Sequence, residues 1–442
     1  MIAVSCSSGS DGTTSSVDSE APADSAATTD GSAADAPVVD SSVDDTSGSA
    51  VEPVPTEGSS GDPTSEEGFE SLGPPTGEPI LIGMVNTEGT PGLDFPEMRT
   101  DTDLAADYLN EHGGLGGRPV QIEHCAAAGS PETSQACAQE LSGKGVEMVM
   151  LGLDLFPGYD TFAASDTPVF GALPVLPSDF TADALFLTGG NATTMAAMVG
   201  LAVEHLDAST VGIISADNPG ANGSEASLTA SLDKAGVEYV SVKGGDNETD
   251  AGFQGLIREA NSDNPDALIS LYSDGGCIGA MRGRVSLGID TPMISTAICG
   301  SADVIDVVGD DAVGWYFAGV GEPVESPTTE AFNAIIEPAY GPDAAVSLGV
   351  GAIGITQIMS LARVANRIAE EGGEVTGSSI YERLGTSNDI LNFPNDSPLE
   401  CGASPTYPSI CNFEFPVGEY VAGGKIVTVP GFESFNVVAY LP

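Results

Sequence analysis

The stretch LAADYLNEHGGLGGRPVQIEHC, residues 104–125, decides the fold. Its spacing extends a helix over 97–110, with Met98, Leu104, Ala105, Tyr108 and Leu109 as the apolar stripe. Glycines 113, 114, 116 and 117 end that helix, because the residue after a helix terminus must tolerate positive φ. They spell neither GxGxxG nor GxxxxGK[ST]. They therefore read as a tight turn flanked by Asn110 and Arg118, with no ligand role. Pro119–His124 follows as a strand.

Working outward, the same unit recurs. Ile80–Val85 is an apolar strand before the helix. A helix over 131–143, a strand over 146–151 and a strand over 169–173 come after it. The alternation restarts with the apolar helix TMAAMVGLAVEHL and the strand VGIISA at 211–216. A helix over 223–235, a strand over 237–242, a helix over 249–260 and the strand ALISLY at 267–272 continue it. GCIGAMRGRVSLG reads as a further helix and PMISTAI, from 292, as a strand. Residues 349–372 form the longest clear helix, and the chain ends in a hairpin pattern around Gly423 and Gly424. Strand–helix–strand alternation predicts an α/β protein with two tandem, mostly parallel sheets covered on both faces.

Composition sets limits on partners. The 442 residues include 12 Lys plus Arg against 65 Asp plus Glu, a net charge of −53. A phosphate backbone needs basic neutralisation, so nucleic acid is excluded as a partner, and direct docking on an anionic membrane is disfavoured. The charge is read as solubility at high salt, where repulsion is screened. Residues 1–79 hold 16 carboxylates and no Lys or Arg, and the first basic residue is Arg99. Such a stretch has too little apolar surface to offset ordering entropy, and it reads as a disordered acidic tether.

Cysteine usage points outside the cytoplasm. Cys6 follows Ala3, Val4 and Ser5 and precedes a polar spacer, a pattern that resembles a bacterial lipoprotein anchor. The alternative is a free cysteine in a disordered end. MIAVSCSSGSDG carries no basic n-region and no apolar h-region. The other six cysteines fall as neighbouring pairs, Cys125 with Cys137, Cys277 with Cys299, and Cys401 with Cys411. Fifteen pairings are possible, and short loops favour the sequential one. Bonded, they imply an oxidising, extracytoplasmic compartment. There is no CxxC, and His112, His124 and His205 are the only histidines, so no metal or other cofactor is expected.

From Ile80 to about 372 the chain resembles the solute-binding proteins of branched-chain amino acid uptake systems, which have the type I periplasmic binding fold. IGMV, LAADYLNEHGGLGGRPVQI, ETSQACAQEL, VEMVMLG, DTPVFGA, VGIISAD, ETDAGFQGLI and NPDALISLYSDG carry the resemblance in order. It implies two lobes joined by three crossing segments, with a small-molecule solute held in the cleft and closure about a hinge. The lobes would be 80–191 with 322–375, and 192–321 with the C-terminal part of 376–442, which also holds a crossing segment. A monomeric chain serving the membrane permease of an ABC transporter is the implied assembly.

The resemblance also nominates cleft residues. Family members grip a carboxylate after the third strand, where this chain has Asp154 and Leu155 in place of the expected serine. A buried carboxylate there would repel the ligand's own. Gly171, Ala172 and Leu173 match a segment giving backbone contacts. Asn218 and Asn222 stand where an aromatic cover is usual; an Asx-type turn is the competing reading. Tyr272, Ser273 and Asp274 match the region of the acidic partner for an ammonium, or else cap the helix that follows. Trp315 lies in a strand pattern and reads as core. The expected function is capture of a small polar solute, an amino acid or amide, for uptake. A ligand-sensing receptor subunit or a cell-surface structural protein on the same scaffold are the alternatives. Enzyme activity is not expected, since no G-x-S-x-G elbow or HExxH motif is present.

Overall fold

The computed structural model describes residues 74–90, 94–246, 248–273, 275–322, 325–341 and 351–442. Cys6 and nearly all of the 1–79 segment lie outside the described residues, as does Asp274. The first sheet is built from β1 (Ile80–Thr87), β2 (Val120–Ala127), β3 (Met148–Leu151), β4 (Val169–Gly171) and β5 (Leu185–Phe186). Its order is β2-β1-β3-β4-β5, and every pairing is parallel. Helices α1 (Pro96–Glu111), α2 (Pro131–Lys144) and α3 (Tyr159–Ala164) connect its strands.

The glycine turn does what its composition requires. Gly114 has φ +67°, and a Cβ there would lie 2.0 Å from the Arg118 carbonyl oxygen. Asn110 closes the turn by donating to the Val120 carbonyl at 3.0 Å and accepting from the Val120 N–H at 2.7 Å. Arg118 pairs with Glu147 and donates to the Pro79 and Val375 carbonyls, so it fastens the strand edges to the rest of the lobe.

The second sheet holds β6 (Thr210–Ala216), β7 (Glu238–Gly244), β8 (Ala267–Leu271), β9 (Met293–Thr296) and β10 (Trp315–Ala318). These five strands run parallel in the order β10-β9-β8-β6-β7. The hairpin Val417–Val421 with Lys425–Thr428 extends the sheet antiparallel beyond β10. Helices α4 (Gly190–Glu204), α5 (Pro219–Ala235), α6 (Asp250–Ala260), α7 (Gly275–Leu287) and α8 (Ala302–Val308) flank it. Each αβ repeat buries one helix stripe on one sheet face, which yields this two-lobed, mostly parallel α/β fold.

α4 is apolar on all sides and is buried along nearly its whole length. Its Met195, Ala196 and Val199 sit in a core that also contains Val85, Phe186 and Ile213, so the two sheets share a hydrophobic seam. Trp315 is fully buried among Phe253, Met281 and Phe317. A third core lies beneath the opposite face of the first sheet. There α1 meets α9 (Pro327–Tyr340), α10 (Gly351–Glu370) and α11 (Gly377–Gly385).

Residues from the first part of 376–442 also belong to that core. Ile380, Leu384, Ile390, Phe393, Leu399 and Cys411 belong to it. Phe186 donates its N–H to the Ser409 carbonyl at 2.7 Å, and Cys411 donates to the Phe186 carbonyl at 2.9 Å. The segment up to Cys411 thus lies along β5. The reason is physical: its apolar residues match the face left open by α10, while Val417 onward pairs with β10. The cysteines join sequentially, Cys125 to Cys137, Cys277 to Cys299 and Cys401 to Cys411. Among the described residues no helix is long and apolar enough to cross a membrane.

Candidate functional site

A cavity of about 440 Å³ lies between the two sheets, at the carboxyl ends of their strands. In both sheets the strand order reverses direction next to the first strand, and the crevice at such a switch point is where ligands bind open α/β sheets. In the first sheet that crevice lies between β1 and β3. Thr87 ends β1 there and Phe95 follows it, and Leu153 and Leu155 follow β3. In the second it lies between β6 and β8. Pro219, Gly220 and Ala221 follow β6, and Tyr272 and Ser273 follow β8.

The walls are mostly apolar. Leu173, Pro174 and Val175 continue the first-lobe side, and Met195, Leu271 and Ile298 the second. Polar groups are few: Thr87, Asn191, Ser224, Ser273 and Thr296, with the Tyr272 phenol. Among the described lining residues no side chain is ionised at neutral pH. Thr87 Oγ1 and the Tyr272 hydroxyl are buried with no hydrogen-bond partner among the described residues. Burial, with Glu248 and Asp246 nearby, pushes the Tyr272 phenol up to about 12, so it is a neutral donor. Asn191, at the start of α4, donates to Ser224 Oγ of α5 at 2.9 Å.

Two buried devices hold the walls. Asn86 Oδ1 accepts the Leu153 N–H at 3.1 Å while Nδ2 donates to the Phe95 carbonyl at 2.7 Å. Behind the second-lobe wall, the Cys277–Cys299 disulfide joins the start of α7 to the loop after β9. Both its sulfurs approach the Tyr272 carbonyl at 3.5 Å.

The nominated residues divide. Leu155, Leu173, Tyr272 and Ser273 line the cavity. Gly171 and Ala172 lie behind it; a Cβ on Gly171 would strike the Phe186 ring at 2.1 Å, so glycine there serves packing. Asp154 is 3% exposed and turns into the protein, where Oδ1 accepts from Ser134 Oγ at 2.6 Å and from the Phe156 N–H at 3.0 Å. Asn218 is the N-cap of α5, accepting the Ala221 N–H at 2.8 Å. Asn222 accepts from Lys243 at 2.6 Å and donates to Asp217. Neither asparagine lines the cavity, because a helix start and a surface lysine occupy their polar atoms. Lining residues that the sequence reading did not name include Thr87, Phe95, Pro174, Val175, Asn191, Met195, Ser224, Leu271 and Thr296. Thr87 and Thr296 carried a signal, since each is the last residue of a strand. Phe95 carried none. No group of three or more His, Cys, Asp or Glu able to hold a metal occurs among the described residues.

A two-lobed α/β frame with its cavity at paired switch points defines a class of solute-binding proteins. Residues 79–394 match the family model described as Periplasmic binding protein. The chain belongs to that family, whose role is solute binding and whose place is extracytoplasmic. No curated protein sequence matches it. Similar solved structures include an ABC transporter substrate-binding protein from Sphaerobacter thermophilus, 18% identical, with TM-score 0.63 over 80% of this chain and 96% of that one. A leucine-binding protein from Thermotoga maritima is 14% identical, with TM-score 0.55 over 79% and 97%. A solute-binding protein of an ABC transporter from Rhodopseudomonas palustris BisB5, in complex with 3,4-dihydroxybenzoic acid, is 16% identical, with TM-score 0.57 over 81% and 98%. At these identities the likeness speaks for the fold.

Proposed function

We propose that this chain captures a small solute between lobes formed by 80–191 with 322–375 and by 192–321 with the C-terminal strands, and delivers it as a monomer to the membrane permease of an ABC importer. The solute has an apolar body and a short polar end. Amino acids with apolar side chains and small aromatic carboxylates fit this description; strongly polar or polycationic solutes do not. The observation that carries the reading is the cavity wall, with leucine, valine, methionine and phenylalanine side chains from both lobes and only scattered hydroxyls and one amide. The expected polar, amide-like solute gives way to this class because apolar walls leave polar atoms of a solute unpaired, at a cost of about 1–3 kcal/mol each.

The arrangement supports capture in a definite order. An open cleft admits the solute, its body displaces water from the leucine walls, and closure of the lobes brings Thr87 of one sheet and Ser273 and Thr296 of the other onto its polar end. The unpartnered Thr87 hydroxyl supports this reading, since a bound solute gives it a partner. The structural neighbour holding 3,4-dihydroxybenzoic acid supports the size and character of solute chosen. The test is a thermal-shift titration of the full chain in high salt with leucine, 3,4-dihydroxybenzoate, glycine and spermidine. A ligand at 100 times its Kd adds about 2.7 kcal/mol to the folded state. Leucine or 3,4-dihydroxybenzoate raises Tm on this reading. A shift with glycine or spermidine alone defeats it.

A further inference from the structure

Behind the first-lobe wall lie two carboxyls that do not line the cavity. Asp154 is 3% exposed and Asp179 is 1% exposed. Among the described residues neither has an ion-pair partner, which is unusual for buried acids. Asp179 sits in the 3-10 turn Pro177–Thr181 and accepts at both oxygens. Oδ1 takes the Tyr159 hydroxyl of α3 at 2.9 Å, and Oδ2 takes the Val175 and Leu176 N–H groups at 2.7 and 2.8 Å. Asp154 is satisfied at one oxygen only, by Ser134 of α2 and the Phe156 N–H. Its Oδ2 is buried with no partner among the described residues.

We infer that Asp154 and Asp179 are the positioning residues of the first-lobe wall, Asp179 holding the Val175 side and Asp154 the Leu153–Leu155 side. The inference rests on the reading of the cavity as the solute site. The two acids do different work. Asp179 has three donors and serves as a pure acceptor. Asp154 has an oxygen with no donor among the described residues, and ionising it would place a charge in that buried site within the electrostatic reach of Asp179. The titratable groups acting on it are Asp179, from the Pro177–Thr181 turn, and, reciprocally, Tyr159 of α3. Burial first, and Asp179 with it, drives the Asp154 carboxyl above its usual range, against the Ser134 hydroxyl and the Phe156 N–H. A carboxyl raised in the folded state favours folding below its unfolded value. That advantage is lost as pH rises from the unfolded value through the folded one.

The test uses the full chain as wild type, D154N, D179A and D179N. Three readouts are taken: thermal stability against pH, hydrogen exchange of the Val175 and Leu176 amides, and titration with leucine and 3,4-dihydroxybenzoate. Wild type loses stability as pH climbs above the ordinary carboxylate range, and D154N, whose amide never ionises, does not. D179A raises exchange at Val175 and Leu176 by about tenfold or more, the effect of losing an acceptor worth about 1.4 kcal/mol. D179N restores most of the protection because it keeps one acceptor oxygen. Affinity for whichever probe binds falls in D179A in step with exchange. Parallel pH profiles for wild type and D154N overturn the inference, and so does unchanged exchange in D179A. If D179A fails to fold, the pH profiles of wild type and D154N decide the inference. If both stability signatures appear and neither probe binds wild type, the proposed function fails while the positioning assignment stands.

Discussion

Asn86 Oδ1 accepts the Leu153 N–H across the gap between β1 and β3, at 3.1 Å. The same side chain holds Phe95 through its other end, at 2.7 Å. One buried amide thus sets the spacing of two cavity loops that are more than fifty positions apart in the chain. Asn86→Leu removes both bonds and leaves a buried N–H and carbonyl unpaired. The expected cost is about 2–4 kcal/mol of stability, with solute affinity lowered as well. Chemical denaturation, paired with a leucine or 3,4-dihydroxybenzoate titration, checks both effects. A variant as stable as wild type and binding as well removes Asn86 from the wall.

The Cys277–Cys299 disulfide lies directly behind Tyr272. Replacing both cysteines by alanine frees the loop after β9 from α7. For a closed loop of this size the chain-entropy model gives a loss of about 3 kcal/mol. The double variant should also bind its solute more weakly, because Tyr272 and Thr296 no longer share a fixed frame. Guanidinium denaturation of the double variant against wild type, both without reductant, measures the first effect, and calorimetric titration the second. Full affinity in the double variant separates the disulfide from the site.

Arg383 donates to Asp389 at 2.8 Å, and this bond, with help from Ser387, lowers the Asp389 carboxyl to about 2. A depressed carboxyl adds stability above its unfolded value of about 3.9. The contribution disappears as pH falls from there through about 2. Wild type should therefore lose stability across that window more steeply than Asp389→Asn. Acid titration followed by far-UV circular dichroism distinguishes the two. Superimposable acid limbs would mean the pair is screened to nothing.

The net charge of −53 should make the chain salt-dependent. Raising salt from about 0.1 M to about 1 M shortens the screening length from about 10 Å to about 3 Å. Carboxylate repulsion then weakens, and Tm should rise with potassium chloride as much as with sodium chloride. Scanning calorimetry over a salt series tests this. A Tm independent of salt assigns the acidity to solvation alone.

Much of the frame was legible along the chain. The stripe from Met98 to Leu109 and the glycines after it announced α1 and its turn, because 3.6-residue periodicity and positive φ are local requirements. The cysteine pairs were legible for the same reason, since neighbours in a short loop meet easily. Leu155, Leu173, Tyr272 and Ser273, nominated through the family resemblance, line the cavity because they sit just past strand ends. Asp154, Asn218 and Asn222 do not, since their polar atoms are taken by Ser134, Ala221 and Lys243, and nothing in a linear pattern shows which partner a short polar side chain will meet.

By itself, then, the sequence determined the α/β alternation, the tandem repeat, the disulfide pairs and the acidic surface, all of which follow from periodicity, loop length and composition. Only the tertiary structure decided that Phe95, Leu153, Val175 and Met195 share one cavity and that Asp154 and Asp179 accept hydrogen bonds from backbone N–H groups of the adjoining loops. Side chains from distant segments converge there through packing of two sheets against a common seam. Burial then decides which of them line the cavity and which lie behind it.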